Sequence, residues 1–303
     1  MHGQFIINYS KMRLTNEQKD EIRGLLQAYV SRYPSQNRAA VSLKGISAGT
    51  LSTILNGKYD LISDEMFLKL RAQIAGRQDD GWQLCPTSVY EELTTLLADA
   101  QEFGNVAWVV SAAGSGKTTA AHTYASGHDN AFLICCSEDM RRNDFIREMA
   151  RATGVNVSDL SIRESLERIV RHLLTLERPL LVFDEGDKLP DTVFYYFITI
   201  YNRLEGHCGI IFLSTHYIKR RMEIGLAYNK KGYDEIHSRI CRKFVELTPT
   251  SEYEVAAVAR TNGLTDERTI RAVVKDAAAC GYDLRRVRRE VYKQKRLAAL
   301  NGR

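Results

Sequence analysis

The chain has 303 residues, 44% of them hydrophobic and 26% charged, with a formal net charge of +5. That length suggests about two domains and that balance is ordinary for a globular protein, which excludes a disordered or collagen-like chain. No uninterrupted apolar run of about 18 residues is present, so no membrane span is predicted, and the first seven residues lack both the basic start and the apolar core of a secretory signal. The six cysteines (Cys85, Cys135, Cys136, Cys208, Cys241, Cys280) show no C-x-x-C spacing. They are read as reduced thiols of a cytoplasmic protein, with Cys135 and Cys136 as buried strand residues and neither a zinc frame nor a disulfide frame.

Residues 1–76 are predicted as an all-helical domain. Leu14 to Tyr33 is amphipathic, with Ile22, Leu25, Leu26 and Val30 on one stripe. A short helix with Ala39 and Ala40 ends at Gly45, Ile46 plugs the core, and Ser47 N-caps a second helix that buries Leu51, Ile54 and Leu55. Asn56-Gly57 supplies the left-handed stop, and a helix from Asp64 to Ile74 closes the unit. This is a helix-turn-helix plan similar to the phage-repressor and Cro type, and a small helical bundle without DNA contact would share it. If it meets DNA, Ser47, Ala48, Thr50 and Thr53 face the groove and Lys58 lies near phosphate. Side chains this small cannot make bidentate base contacts, so little sequence preference is expected.

Residues 77–88 read as a polar linker, and 89–248 as a nucleotide-binding core. The apolar run Val106–Val110, the loop Ser111-Ala112-Ala113-Gly114-Ser115-Gly116-Lys117-Thr118 and a helix over 117–126 follow in that order. Successive backbone N–H groups and a helix N-terminus make such a loop a polyphosphate cradle. Ala113, Gly114, Ser115, Gly116, Lys117, Thr118 and Thr119 are the candidate nucleotide contacts. Lys117 is placed on the β- and γ-phosphates, and Thr118 on Mg²⁺. Ser111 stands where the phosphate-loop pattern has Gly; Ser makes a tight turn less freely, so a less well-formed loop is expected.

The core continues as strand 131–136, helix 139–153, helix 161–176, strand 179–184, helix 190–204 and strand 208–214. This alternation means a parallel sheet covered on both faces. The third strand ends in Asp184-Glu185. Asp184 is suited to the metal shell, and Glu185 to orienting and deprotonating an attacking water. Thr215, at the end of the fourth strand, is a candidate sensor of the γ-phosphate. Arg239, on a short helix before the strand 244–247, is a candidate to reach a neighbouring subunit's γ-phosphate. Residues 249–303 form a helical lid of three helices, 251–262, 265–280 and 283–300. Arg285 opens the last of these and could swing onto the nucleotide, whereas Arg286 is read as surface.

Basic clusters stand at Arg141-Arg142, on a loop after the second strand, at Lys219-Arg220-Arg221, at Lys230-Lys231 and along Arg285 to Arg303. Such clusters bind phosphates without reading sequence.

Taken together, Ile46–Ser52 with Asn56–Tyr59, the loop 111–118, Phe183–Asp187, Thr215-His216 and Ser238–Ile240 resemble the AAA+ ATPase family. Within it they resemble the group of Mu phage transposition protein B and its prophage relatives, over nearly the whole chain. The resemblance implies an α/β parallel-sheet core with a helical lid behind a helix-turn-helix domain. It implies ATP and Mg²⁺ as cofactors, with Thr215 as polar sensor, Arg239 as trans-acting arginine and Arg285 as lid arginine. It further implies helical self-assembly on double-stranded DNA, capture of that DNA for a transposase, and release on hydrolysis that the transposase stimulates. Two other readings share the motifs: a helicase-loader-like ATPase, and an ATP-switched helix-turn-helix transcription regulator.

Overall fold

A computed structural model describes residues 14–31, 33, 35–43, 45–75 and 81–301. The expectations that fall on residues 1–13, 32, 34, 44, 76–80, 302 and 303 lie outside them. The chain divides after residue 80 into two compact units.

In the first unit, α1 (Asn16–Val30), α2 (Gln36–Val41), α3 (Ala48–Leu55) and α4 (Asp64–Ala75) surround one apolar core. Ile22, Leu26, Ala39, Leu51, Ile54, Phe67 and Leu70 are fully buried in it. Thr15 and Gln18 form a capping box on α1, and the Ser47 hydroxyl accepts from the Thr50 N–H at the start of α3. The α2–α3 corner turns on Gly45, whose φ of 68° is in the left-handed region.

The second unit is a five-stranded sheet with helices and a small helical subdomain. Its strands are β1 (Val106–Val110), β2 (Ala131–Cys135), β3 (Leu180–Asp184), β4 (Gly209–Ser214) and β5 (Phe244–Glu246), in the order β2-β3-β4-β1-β5. All pairs are parallel. The sequence explains this directly: β3 and β4 are buried at every position, as strands covered on both faces must be. β4 therefore lies between β1 and β3, and the turns after all three open on the same edge.

Trp108 anchors that arrangement. It is fully buried, stacks on Phe212 at 4.4 Å between ring centroids and donates its indole N–H to Ser214 Oγ at 2.7 Å. Truncating Phe212 to Ala would cost about 3–5 kcal/mol. Behind the sheet, α5 (Ser88–Phe103) presses so closely that a Cβ on Gly209 would stand 2.3 Å from the Ala100 carbonyl oxygen.

The remaining helices of the core are α6 (Lys117–Gly127), α7 (Arg142–Thr153), α8 (Ile162–Leu173), α9 (Asp191–Phe194), α10 (Tyr196–Leu204), α11 (Tyr217–Ala227) and α12 (Tyr233–Arg239). The helix expected over 190–204 is thus two, broken at Tyr195, and α11 was not foreseen. Arg141 is the N-cap of α7 and Arg142 its first residue, rather than both lying on a loop. Cys135 is exposed at the strand end, against expectation, whereas Cys136 is buried as expected.

The lid helices are α13 (Glu252–Thr261), α14 (Glu267–Ala278) and α15 (Leu284–Asn301). They close on Val255, Val258, Ala259, Ile270, Val273, Val287 and Val291. Among the described residues, no helix is long and apolar enough to cross a membrane.

Candidate nucleotide site

The loop between β1 and α6 takes its shape from two glycines. Gly114 and Gly116 have φ of 74° and 99°, a region that costs a side chain dearly. Ser111 is not among the positive-φ residues, and its N–H extends the sheet by donating to the Ser214 carbonyl at 3.2 Å. The expectation that Ser111 loosens the loop is therefore corrected: the left-handed turns fall where glycines stand.

Lys117 is buried at the start of α6, and its Nζ donates to the carbonyls of Ser111 (2.9 Å) and Ala112 (2.8 Å). Burial pulls its pKa below the ordinary value, against the attraction of Asp184 and Asp187. A buried ammonium whose hydrogen bonds go to two carbonyls and the Ser115 hydroxyl, all neutral, is poised for an anion.

Asp184 closes β3 and is 4% exposed. Its carboxylate accepts from the Glu185 N–H at 3.0 Å and from the Thr118 hydroxyl. Burial raises its pKa more than these partners lower it. The hydroxyl and carboxylate suit a hard divalent cation that keeps water and phosphate oxygens as its other ligands. Among the described residues no group of three or more His, Cys, Asp or Glu is placed to hold a metal ion.

Glu185 sits in the left-handed region, with φ of 57° and ψ of 37°, a conformation that costs a non-glycine residue about 1–3 kcal/mol and recurs at functional sites. Its carboxylate is half exposed and pairs with Lys188 Nζ at 2.7 Å. Thr215 follows β4, and its hydroxyl donates to Asp187 Oδ2 at 2.9 Å. Arg285 enters from the lid. These residues, with Ala113 to Thr119, line one cavity of about 700 Å³.

Part of that cavity's lining is not foreshadowed in the sequence: Trp82, Leu84, Cys85, Tyr90 and Val258 add apolar groups to it, and Arg288 adds a second arginine. Residues 82–87 fell within the expected linker, yet Trp82 and Cys85 pack against the lid core. The Asn262 side chain clasps this segment, accepting from the Gln83 N–H at 2.8 Å and donating to its carbonyl at 3.1 Å. The only signal was an apolar Trp, Leu and Cys within a polar run.

The other predicted residues stand elsewhere. Arg239 is outside the cavity lining: Nε and Nη2 donate to Asn202 Oδ1 at 3.1 and 2.8 Å, and Nη1 to the Glu235 carbonyl at 2.9 Å. Ser47 and Thr50 belong to the first unit, where their hydroxyls bond each other at 2.9 Å. Arg141 and Arg142 are exposed at the start of α7. Several basic residues are committed internally: Lys219 pairs with Glu246, Arg221 and Lys230 with Asp191, and Arg286 with Asp276. The cluster at 219–221 is thereby corrected, because Arg221 is a half-buried structural cation held by Asp187, Asp191 and Tyr233.

Residues 104–222, which carry β1 to β4 of the parallel sheet, match the AAA domain family. Around it the chain is 26% identical over 238 residues to the Mu-like prophage FluMu DNA transposition protein B of Haemophilus influenzae, covering 76% of this chain and 81% of that protein. It is also similar to the ATP-dependent target DNA activator B of Escherichia phage Mu, 21% identical over 82% of this chain and 80% of the relative. The activator of the same name from Escherichia phage D108 is 22% identical over 79% and 77%.

Proposed function

We propose that this protein is an ATP-dependent, sequence-tolerant DNA-binding ATPase that assembles on target DNA and delivers it to a transposase. The observation that carries the catalytic half is one cavity lined both by Lys117, the Thr118–Asp184 pair, Glu185, Thr215 and Arg285 and by the apolar side chains of Trp82, Leu84, Tyr90 and Val258. The first set suits a triphosphate and the second a base. The transposition half rests on the relatives, two of which are named as ATP-dependent target DNA activators.

Each residue has a definite task in this reading. Lys117 leaves the loop carbonyls for the β- and γ-phosphates, exchanging neutral acceptors for anionic ones. Thr118 and Asp184 hold Mg²⁺, which supplies charge neutralisation between phosphates when bound. Glu185 accepts the proton of the attacking water, and Thr215 turns from Asp187 to the γ-phosphate. Arg285 couples the lid to the nucleotide. Arg239 acts on a neighbouring subunit's γ-phosphate, and Ser47, Thr50, Arg141 and Arg142 face DNA.

A gel shift with random-sequence duplex tests this, with and without ATP and Mg²⁺, alongside turnover with and without the transposase. ATP-dependent retention of mixed sequence, with turnover raised by the transposase, is expected. Binding confined to one palindrome and indifferent to ATP overturns it.

A further inference from the structure

One half-buried cation links Asp187, a lining residue of the nucleotide cavity, to the helix that carries Arg239. The Arg221 guanidinium sits over the Phe194 ring at 4.6 Å. Its Nη1 donates to the Asp187 carbonyl at 2.9 Å, Nη2 to Asp191 Oδ1 at 2.7 Å and Nε to the Tyr233 hydroxyl at 3.0 Å. Tyr233 in turn donates to Asp191 Oδ1 at 2.7 Å, and Lys230 pairs with the same carboxylate. Burial alone would raise the Asp191 carboxyl, but hydrogen bonds from Lys230, Arg221 and Tyr233 outweigh it and hold its pKa to about 2.

The two ends of this network matter. At one end, Asp187 is the residue that holds the Thr215 hydroxyl. At the other, Tyr233 is the first residue of α12, and Arg239 is its last. Tyr233 is wedged against α11, because a Cβ on Gly225 would fall 2.0 Å from its ring. A planar guanidinium with three fixed partners transmits displacement better than a flexible ammonium.

We propose that Arg221 is a positioning residue that couples occupancy of a subunit's own γ-phosphate site to the presentation of its Arg239 to the neighbour. When Thr215 turns to the γ-phosphate, the Asp187 segment is released, and Arg221 and Tyr233 carry the shift into α12. The sign is activating: a subunit holding ATP is a better arginine donor than an empty one. This rests on the reading of Arg239 as trans-acting.

The experiment uses mixed assemblies on duplex DNA. Arg239→Ala subunits are the acceptors, and turnover is read from their intact sites. Two donors are compared at saturating ATP and at equal measured incorporation into the assembly: Glu185→Gln, which binds and hydrolyses far more slowly, and Lys117→Ala, which stays empty and is carried onto the duplex by its filled neighbours. The filled donor should restore at least about five-fold more acceptor turnover than the empty one, a ratio in the range of ordinary coupling. Tyr233→Phe placed in both donors should bring that ratio close to one without changing the Glu185→Gln donor's affinity for a fluorescent ATP analogue. The phenyl ring still packs on Gly225, and an unchanged melting temperature verifies the fold; Arg221→Lys is the second variant, keeping the charge without the three-way fork. Equal restoration by both unmodified donors, or a ratio that survives both substitutions, overturns the coupling alone. If neither donor restores turnover although both co-assemble, the trans placement of Arg239 falls, and the coupling with it.

Discussion

Leu284 donates its backbone N–H to the Gly114 carbonyl oxygen at 2.9 Å, so the last lid helix begins on the phosphate loop itself. The neighbouring Asp283 fills the remaining space: a Cβ on Gly114 would stand 2.2 Å from its carboxyl. Gly114→Ala would meet both that clash and a φ of 74°. It should weaken binding of a fluorescent ATP analogue by about tenfold or more, corresponding to about 1.4 kcal/mol. Far-UV circular dichroism should stay native. Unchanged affinity would mean that the lid does not close on the loop during binding.

Lys117→Ala should abolish nucleotide binding and, with it, ATP-dependent retention on DNA. The depressed pKa of Lys117 adds a pH signature. Phosphate binding requires the ammonium, so affinity should begin to fall at a lower alkaline pH than an ordinary lysine, with a pKa of 10.5, would give. Titration of the analogue across alkaline pH measures this; near-wild-type affinity in the alanine variant would remove Lys117 from the role.

Glu185→Gln should bind ATP normally and turn over about 10²–10⁴-fold more slowly, the usual cost of a lost general base. Its lifetime on DNA should lengthen accordingly. Single-turnover hydrolysis and dissociation from labelled duplex supply the two readouts, and unchanged turnover would move the base role elsewhere.

Asp184 should give an acid-side effect. Burial holds its carboxyl above the ordinary aspartate range, and a proton competes with Mg²⁺ for it. Mg²⁺ dependence should therefore steepen as pH falls, starting above the pH at which an exposed aspartate titrates. The same sign applies to folding: the buried charge costs stability above the folded pKa, and that cost is relieved as pH drops through it. Asp184→Asn should thus stabilise the nucleotide-free protein by about 1–2 kcal/mol while losing the thermal shift produced by Mg²⁺ and ATP. A lower melting temperature for the free variant would contradict this.

Arg239→Ala and Lys117→Ala subunits should each be inactive alone and regain some turnover when mixed. The lysine variant can lend its arginine to an intact loop across the interface. Specific activity of the wild type should also rise with protein concentration. A mixture that co-assembles yet stays inactive would pass the role to Arg242.

The loop 111–118 and Asp184-Glu185 were legible in the sequence because local chemistry dictates them. Glycines mark the left-handed turns, and an all-apolar strand must end in its acid at the sheet edge. Parallel pairing also follows from apolar runs separated by helices, whereas the order β2-β3-β4-β1-β5 does not. Other features depend on residues far apart in the chain. Asn262 holds Gln83 across 179 positions, and no periodicity announces a side-chain amide standing in for a backbone partner. Arg221 was read as one of three surface cations because Lys219 and Arg220 adjoin it; its burial is set by Asp191 and Tyr233, on other helices. The break at Tyr195 is equally silent, since Tyr195 and Tyr196 are both tolerable in a helix.

The internal pairing of basic residues has a consequence for measurements in salt. Each phosphate neutralised by a protein cation frees condensed counterions, and the slope of log affinity against log salt counts those events. Lys219, Arg221, Lys230 and Arg286 already answer carboxylates within the fold. They release no counterions when duplex arrives, so a tally of lysines and arginines overstates the slope. Binding should fade less steeply between low and physiological ionic strength than the formal charge suggests.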